Sequence, residues 1–230
     1  LPPSLPPQPP RSGGGIPWDE RDRIGFVTAL TETLRRVLME PVDFFRAMPV
    51  TGGLGSPLTF GLLVGYFGLA ISAFYQALFQ SLGGGMMGGL GRGSGEMSRY
   101  LEMFGGLMGF VITLVIGPVL LLFALFIGSG ITHLMLMLLG SAKQGFEATF
   151  RVGCFAQSAA VFAVVPFCGG LAQGIYQIVL VIVGLAQAHK ISYGMAALAV
   201  FLPLLLVCCC CAVAAGAMFG GLAGMTGLPQ

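Results

Sequence analysis

A chain of 230 residues with 56% hydrophobic and only 9% charged residues lies far from the roughly 25% charged content of soluble domains, and its mean hydropathy is +0.90. This composition predicts an integral, all-α membrane protein. The net charge of +2 is too small to imply nucleic acid, because Lys and Arg sit beside apolar runs rather than on a separate basic domain.

Residues 1–17 are proline-rich and run into Ser12-Gly13-Gly14-Gly15, a linker composition with nothing to bury. They are expected to be disordered, the alternative being a tether to a soluble domain ahead of Leu1. A basic region followed by an apolar one is lacking, which argues against a signal peptide.

Residues 18–56 read as a juxtamembrane segment. Ile24, Val27, Thr31, Leu34 and Leu38 recur three and four apart while Glu32, Arg35 and Arg36 fall on other faces, the pattern of an amphipathic helix. Glu32 and Arg36 are spaced as an i,i+4 pair, and Pro41 stops the helix. Trp18 and the arginines place this helix in the plane of the cytoplasmic membrane surface; docking on the protein's own loops is the alternative. Phe44 and Phe45 then suit an interfacial anchor.

Residues 57–230 are expected to form a membrane domain of five spans, at about 57–80, 104–139, 150–167, 170–187 and 194–219. In the first, Gly61, Gly65 and Gly68 make a small-residue stripe, and Gln76 lies toward the far end. The Gly- and Met-rich segment 81–102 reads as a mobile loop. Residues 104–139 carry no acid, Lys or Arg and would make a helix of roughly 54 Å against a hydrocarbon core of about 30 Å. Splitting that run at Pro118 leaves a piece too short to cross, so one helix, kinked at Pro118 and projecting from the membrane, is expected. A polar connection carries Lys143, Glu147 and Arg151. The third and fourth spans are separated by a hinge from Pro166 to Gly170, and Gly170 and Gly174 repeat the small-residue spacing. His189 and Lys190 occupy a short connection, and Cys208 to Cys211 read as small buried hydrophobes in the fifth span.

With the N-terminus inside, Arg21, Arg23, Arg35, Arg36, Arg46, Lys143, Arg151 and Lys190 are cytoplasmic while Arg92 and Arg99 are outside. That is the positive-inside distribution, and it requires residues 104–139 to cross once.

Three stretches carry a family resemblance: Pro41-Val42-Asp43-Phe44-Phe45-Arg46-Ala47-Met48-Pro49, Lys143-Gln144-Gly145-Phe146-Glu147-Ala148-Thr149-Phe150-Arg151 and Gly184-Leu185-Ala186-Gln187-Ala188-His189-Lys190-Ile191-Ser192. With the order of spans, they resemble the Yip1-domain family of five-span membrane proteins in its bacterial branch. The resemblance implies a cytoplasmic N-terminus, a C-terminus outside and residence in a bacterial cytoplasmic membrane. In eukaryotic members it also implies Rab-type GTPase partners. The Asp-Leu-Tyr-Gly-Pro motif of those members is absent and only Gly65-Tyr66 matches their second short motif, so Rab binding is not carried over.

Reactive groups are sparse. Ser129 and His133 lie one turn apart on one helix and can touch, but the Gly-x-Ser-Gly pattern of rhomboid-like proteases needs Gly where Ile127 stands. A polar pair packing one helix on another is the expectation, with His133 in a packing or interfacial role. Gln76, Gln157, Gln173 and Gln177 can line a polar path or bond one another; packing is expected. No cofactor, metal site or catalytic residue is expected, and the protein reads as a non-enzyme. Its expected role is a scaffold or accessory subunit binding the bilayer and other membrane subunits or a second copy of itself. The alternative is a small transporter or lipid-handling protein.

Overall fold

The computed structural model describes residues 15–87, 96–203 and 205–206, and among them the regular structure is entirely helical. A 3-10 turn, Pro17–Glu20, leads into the short α1 (Arg21–Ile24), α2 (Phe26–Met39) and α3 (Pro41–Ala47). Then come α4 (Gly55–Met87), α5 (Glu96–Leu138), α6 (Phe146–Ala156), a 3-10 run Gln157–Val164, α7 (Gly169–His189) and α8 (Tyr193–Pro203). Among the described residues three helices are long and apolar enough to cross a membrane: Gly55–Phe79, Phe104–Leu138 and Gly169–His189. They coincide within a few residues with the first, second and fourth expected spans.

The single helix expected across Pro118 is present, and its physical support is visible. Proline has no N–H, so the carbonyl of Leu114, four residues earlier, loses its helical donor. The Tyr66 hydroxyl on α4 donates to that carbonyl at 3.1 Å. Beside it Gly117 is buried where a Cβ would come within 2.9 Å of Leu69, so α4 and α5 close tightly at the proline.

Other expectations are corrected. Residues 81–87 continue α4 and residues 96–102 begin α5, so the helices invade most of the expected loop; 88–95 lie outside the described residues. The expected third span is not one α-helix but α6 followed by eight residues of 3-10 helix. It is the buried centre of the bundle, with Val152, Phe155, Ala156, Ala159 and Ala160 fully covered. Most of the expected fifth span, including Cys208 to Cys211, and the linker up to Gly14 lie outside the described residues.

The glycine stripe of α4 receives that centre. A Cβ on Gly61 would meet the Cys154 backbone at 3.1 Å, and one on Gly68 would lie 2.6 Å from the Ala160 Cβ. Gly65 faces Leu121 and Gln157. By contrast Gly170 and Gly174 face open space, so the second small-residue pair makes no close contact among the described residues.

Phe44 and Phe45 are not interfacial anchors. They are 4% and 1% exposed, because α3 turns both rings inward against each other, and Phe44 packs on Phe155 at 5.3 Å. α2 buries Ala29, Thr33 and Val37 against the protein while Phe26, Val27 and Met39 stay exposed. Tyr176 on α7 donates its hydroxyl to the Leu38 carbonyl at 2.5 Å, pinning the end of α2.

Candidate functional site

The three stretches 41–49, 143–151 and 184–192 converge at one end of the bundle. Gly184 on α7 admits both Val152 and Phe45, its absent Cβ leaving positions 2.5 Å from Val152 Cγ1 and 3.1 Å from Phe45 Cε1. Lys143 Nζ donates to the Lys190 carbonyl at 3.2 Å, across two connections far apart in sequence. Lys190 itself closes α7 in the left-handed region at φ 52.

At the centre of this convergence is a directional hydrogen-bond chain. The backbone N–H of Gln144 donates to His189 Nδ1 at 3.2 Å, so in the neutral ring the proton sits on Nε2. That nitrogen is 3.0 Å from Thr149 Oγ1 and therefore donates to it. The Thr149 hydroxyl passes its own proton toward His133 Nδ1, 2.9 Å away. His189, expected in a loop, is instead the buried last residue of α7. His133 finds Thr149 on α6 rather than Ser129 on its own helix.

Beyond Thr149 opens a cavity of about 320 Å³ between α5, the α6–3-10 segment, α7 and α8. Ser129, Thr132, Thr149, Gln157 and Gln177 supply its polar wall, and Leu125, Val181, Leu185 and Val200 part of its apolar one. Of the four glutamines singled out in the sequence, Gln157 and Gln177 thus share a cavity without bonding each other. Gln76 lines a separate cavity of about 200 Å³ between α4 and α5, with Ser72 and Thr113. Gln173 is half-buried on α7 and belongs to neither lining. Pro166 is exposed in the turn before α7, where Phe167 takes φ 67 and packs on Phe79 at 5.0 Å.

A second polar cluster ties the N-terminal elements to the bundle. Arg151, 2% exposed, pairs with Asp19 at 3.2 Å and Glu147 at 3.7 Å and donates to the Gly53 carbonyl at 3.0 Å. Glu147 in turn accepts from the Gly53 N–H at 2.6 Å. Ser56 donates to Asp19 at 2.5 Å and offers its carbonyl to Trp18 Nε1 at 2.8 Å. Trp18 is buried against Phe60, with the Arg21 guanidinium 5.2 Å from its ring centre. By sequence Arg151 reads as a topology signal; its partner Asp19 lies 132 residues away, beyond any local pattern. Among the described residues no three His, Cys, Asp or Glu side chains form a group able to hold a metal ion.

Helices long enough to cross a bilayer, packed around a buried centre with polar clusters at one end, define a polytopic α-helical membrane protein. The Yip1 domain family matches residues 35–216, and the chain belongs to that family. That range includes the three converging stretches and leaves out Trp18 and Asp19. Comparison with curated proteins and with solved structures found no match.

Proposed function

We propose that this Yip1-domain protein acts without catalysis, as a scaffold or accessory subunit that binds other membrane components. It crosses a bacterial cytoplasmic membrane five times, with its N-terminus in the cytoplasm and its C-terminus outside. The crossing count is supported by length. The α-helical turns of α6 and the 3-10 run that follows span together roughly 32 Å, close to a hydrocarbon core of about 30 Å.

The observation that carries the adaptor reading is a platform at one end of the bundle that is both held and uncovered. Arg151, Trp18 and Tyr176 fasten residues 16–48 to the spans. On α2, Val27 projects about a third of a turn from the buried Ala29–Thr33–Val37 row, and Val27 and Met39 are 69% and 74% exposed. The apolar arc of α2, which runs from that row through Leu30 and Leu34 to Val27, is therefore wider than the face the described residues cover, while Met39 lies on the charged side with Arg35 and Glu32. An in-plane position at the headgroup level accounts for that offset. The test is to cross-link the full chain in native membranes, purify it in mild detergent and identify stoichiometric partners. A second copy or a distinct subunit, lost on Val27→Glu, supports the reading; a monomer with no stoichiometric partner refutes it. Orientation is checked separately by placing a cysteine at the exposed Gly145 of a cysteine-free chain, where labelling from outside would overturn the topology.

The second reading, a small transporter or lipid-handling protein, is favoured by the cavity between α5 and α7 with its wall of uncharged polar side chains.

A further inference from the structure

We infer that the 320 Å³ cavity binds a neutral, hydroxyl-bearing amphiphile, its uncharged head on Ser129, Gln157 and Gln177 and its acyl chain leaving between α5 and α7 into the bilayer. Diacylglycerol is the simplest ligand of this class. The inference deepens the lipid-handling reading and is independent of partner binding.

The donors and acceptors available in the cavity select the head. Thr149 is already committed, accepting from His189 and donating to His133. Thr132 donates back to the Gly128 carbonyl at 2.9 Å. Ser129 differs: it is 7% exposed, lines the cavity and makes no hydrogen bond among the described residues. Its oxygen rests in the space where Gly153 lacks a side chain, 2.8 Å from the position a Cβ would take. That oxygen opens onto the cavity instead of being sealed in protein, and an unpartnered hydroxyl in such a place is normally satisfied by water or ligand. The amides of Gln157 and Gln177 likewise have no partner among the described residues, and each presents both donors and an acceptor. Three neutral groups of mixed character suit hydroxyls.

Charge and depth exclude other heads. Among the described residues no acidic or basic side chain lines the cavity, so a phosphate or an ammonium would find no compensating charge there. Ser129 lies roughly 14 Å from the end of α5 and Gln177 roughly 18 Å from the end of α7, near mid-bilayer if these helices stand upright. A neutral head reaches that depth at far lower cost than a charged one. The cavity of about 320 Å³ has room for a glycerol-sized head and the first methylenes.

The doorway faces hydrocarbon. Ala124 and Gly128 on α5 and Gly174 and Ile178 on α7 form an exposed rim, and all four lie within candidate spans. α5 and α7 each lean on the central segment but make no extended contact with each other. At Gly128 and Gly174 a Cβ would meet nothing within 4 Å, so among the described residues no packing closes the rim.

The test uses the full chain in phosphatidylcholine nanodiscs with a diacylglycerol carrying a photoreactive acyl chain, cross-linked and mapped by mass spectrometry. Saturable labelling at the rim of α5 and α7 is expected, competed by dioleoylglycerol and not by dioleoylphosphatidylglycerol. Gly174→Leu fills open space, so labelling should fall at least tenfold with unchanged melting. Ser129→Ala removes one hydrogen bond and should weaken competition about five- to tenfold. Unsaturable labelling, or equal labelling of the Gly174→Leu chain, overturns the site and the lipid-handling reading together. Saturable labelling competed equally by phosphatidylglycerol overturns the neutral head while leaving lipid handling intact. Should Gly174→Leu lose its cooperative melt, Gln177→Leu carries the same test, and unchanged labelling there overturns the site.

Discussion

Replacing Tyr66 by Phe removes one hydroxyl and nothing else from the contact between α4 and α5, yet it strands the Leu114 carbonyl that Pro118 has already deprived of its helical donor. An unsatisfied carbonyl away from water costs about 1–3 kcal/mol, whereas interhelical hydrogen bonds inside membranes average about 0.6 kcal/mol, because carbonyls there usually find substitutes. Here the substitute is structurally absent, since residue 118 has no N–H to give. The cost should therefore sit above that average, at about 1.5 kcal/mol. In a Pro118→Ala background the backbone N–H returns and the same Tyr66→Phe change should cost only about 0.3 kcal/mol. The double-mutant cycle thus predicts a coupling of about 1 kcal/mol. It is measured by reversible unfolding in mixed micelles of mild detergent and dodecyl sulfate, followed by far-ultraviolet circular dichroism. Equal costs in the two backgrounds would refute the reasoning and assign Tyr66 to packing alone.

Four further outcomes follow from the same geometry. Arg151→Met should destabilise by about 3 kcal/mol, because Asp19 and Glu147 lose a buried partner, whereas Asp19→Asn should cost about 1; chemical unfolding compares them, and cleavage near Gly25 in limited proteolysis reports release of the N-terminal elements. Thr149→Val keeps the shape but leaves His189 without an acceptor and His133 without a donor, costing about 2 kcal/mol, while Thr149→Ser should cost under about 1 in the same assay. Gly68→Ala forces a methyl to 2.6 Å from Ala160 and should cost about 1–3 kcal/mol, against about 0.5 or less at the open Gly105. Hydrogen bonds from Arg35 and Arg36 hold the Glu32 carboxyl down at about 2, below the ordinary 4.5. Its stabilisation is complete above about pH 4.5 and fades as the pH falls through about 2. With the side chain 30% exposed, it amounts to about 0.5–1 kcal/mol after solvent screening. Melting temperatures of wild type and Glu32→Gln should therefore differ at neutral pH and converge near pH 2.

Which parts of this protein were legible in the sequence depended on how far apart the cause and its effect lie along the chain. Apolar length is a local property, so Gly55–Phe79, Phe104–Leu138 and Gly169–His189 could be placed within a few residues. The unbroken passage through Pro118 also followed, from the shortness of the pieces a break would leave. The amphipathic period of α2 was visible, but which of its arcs the protein covers was not, because that depends on the N-terminal 3-10 turn, α3 and the central 3-10 run that pack on it. Phe44 and Phe45 show the same limit: aromatics near a membrane suit an interface or a core equally, and only the packing of Phe44 on Phe155 and the gap at Gly184 that admits Phe45 decided for the core.

The site was legible in its members more than in its pairings. Ser129, His133, Gln157 and Gln177 stood out because polar side chains in apolar runs are few. Their partners did not, since Thr149 meets His189 across 40 residues and Arg151 meets Asp19 across 132. By itself the sequence determined that this chain lies in a membrane, where its apolar helices run and which side chains are exceptional there, since composition and period act residue by residue. Only the tertiary structure decided that three separated stretches share one end of the bundle, that Tyr66 repairs the helix at Pro118 and that a neutral polar cavity opens between α5 and α7. Those outcomes come from helices meeting in space, where a single missing methyl or N–H selects the partner.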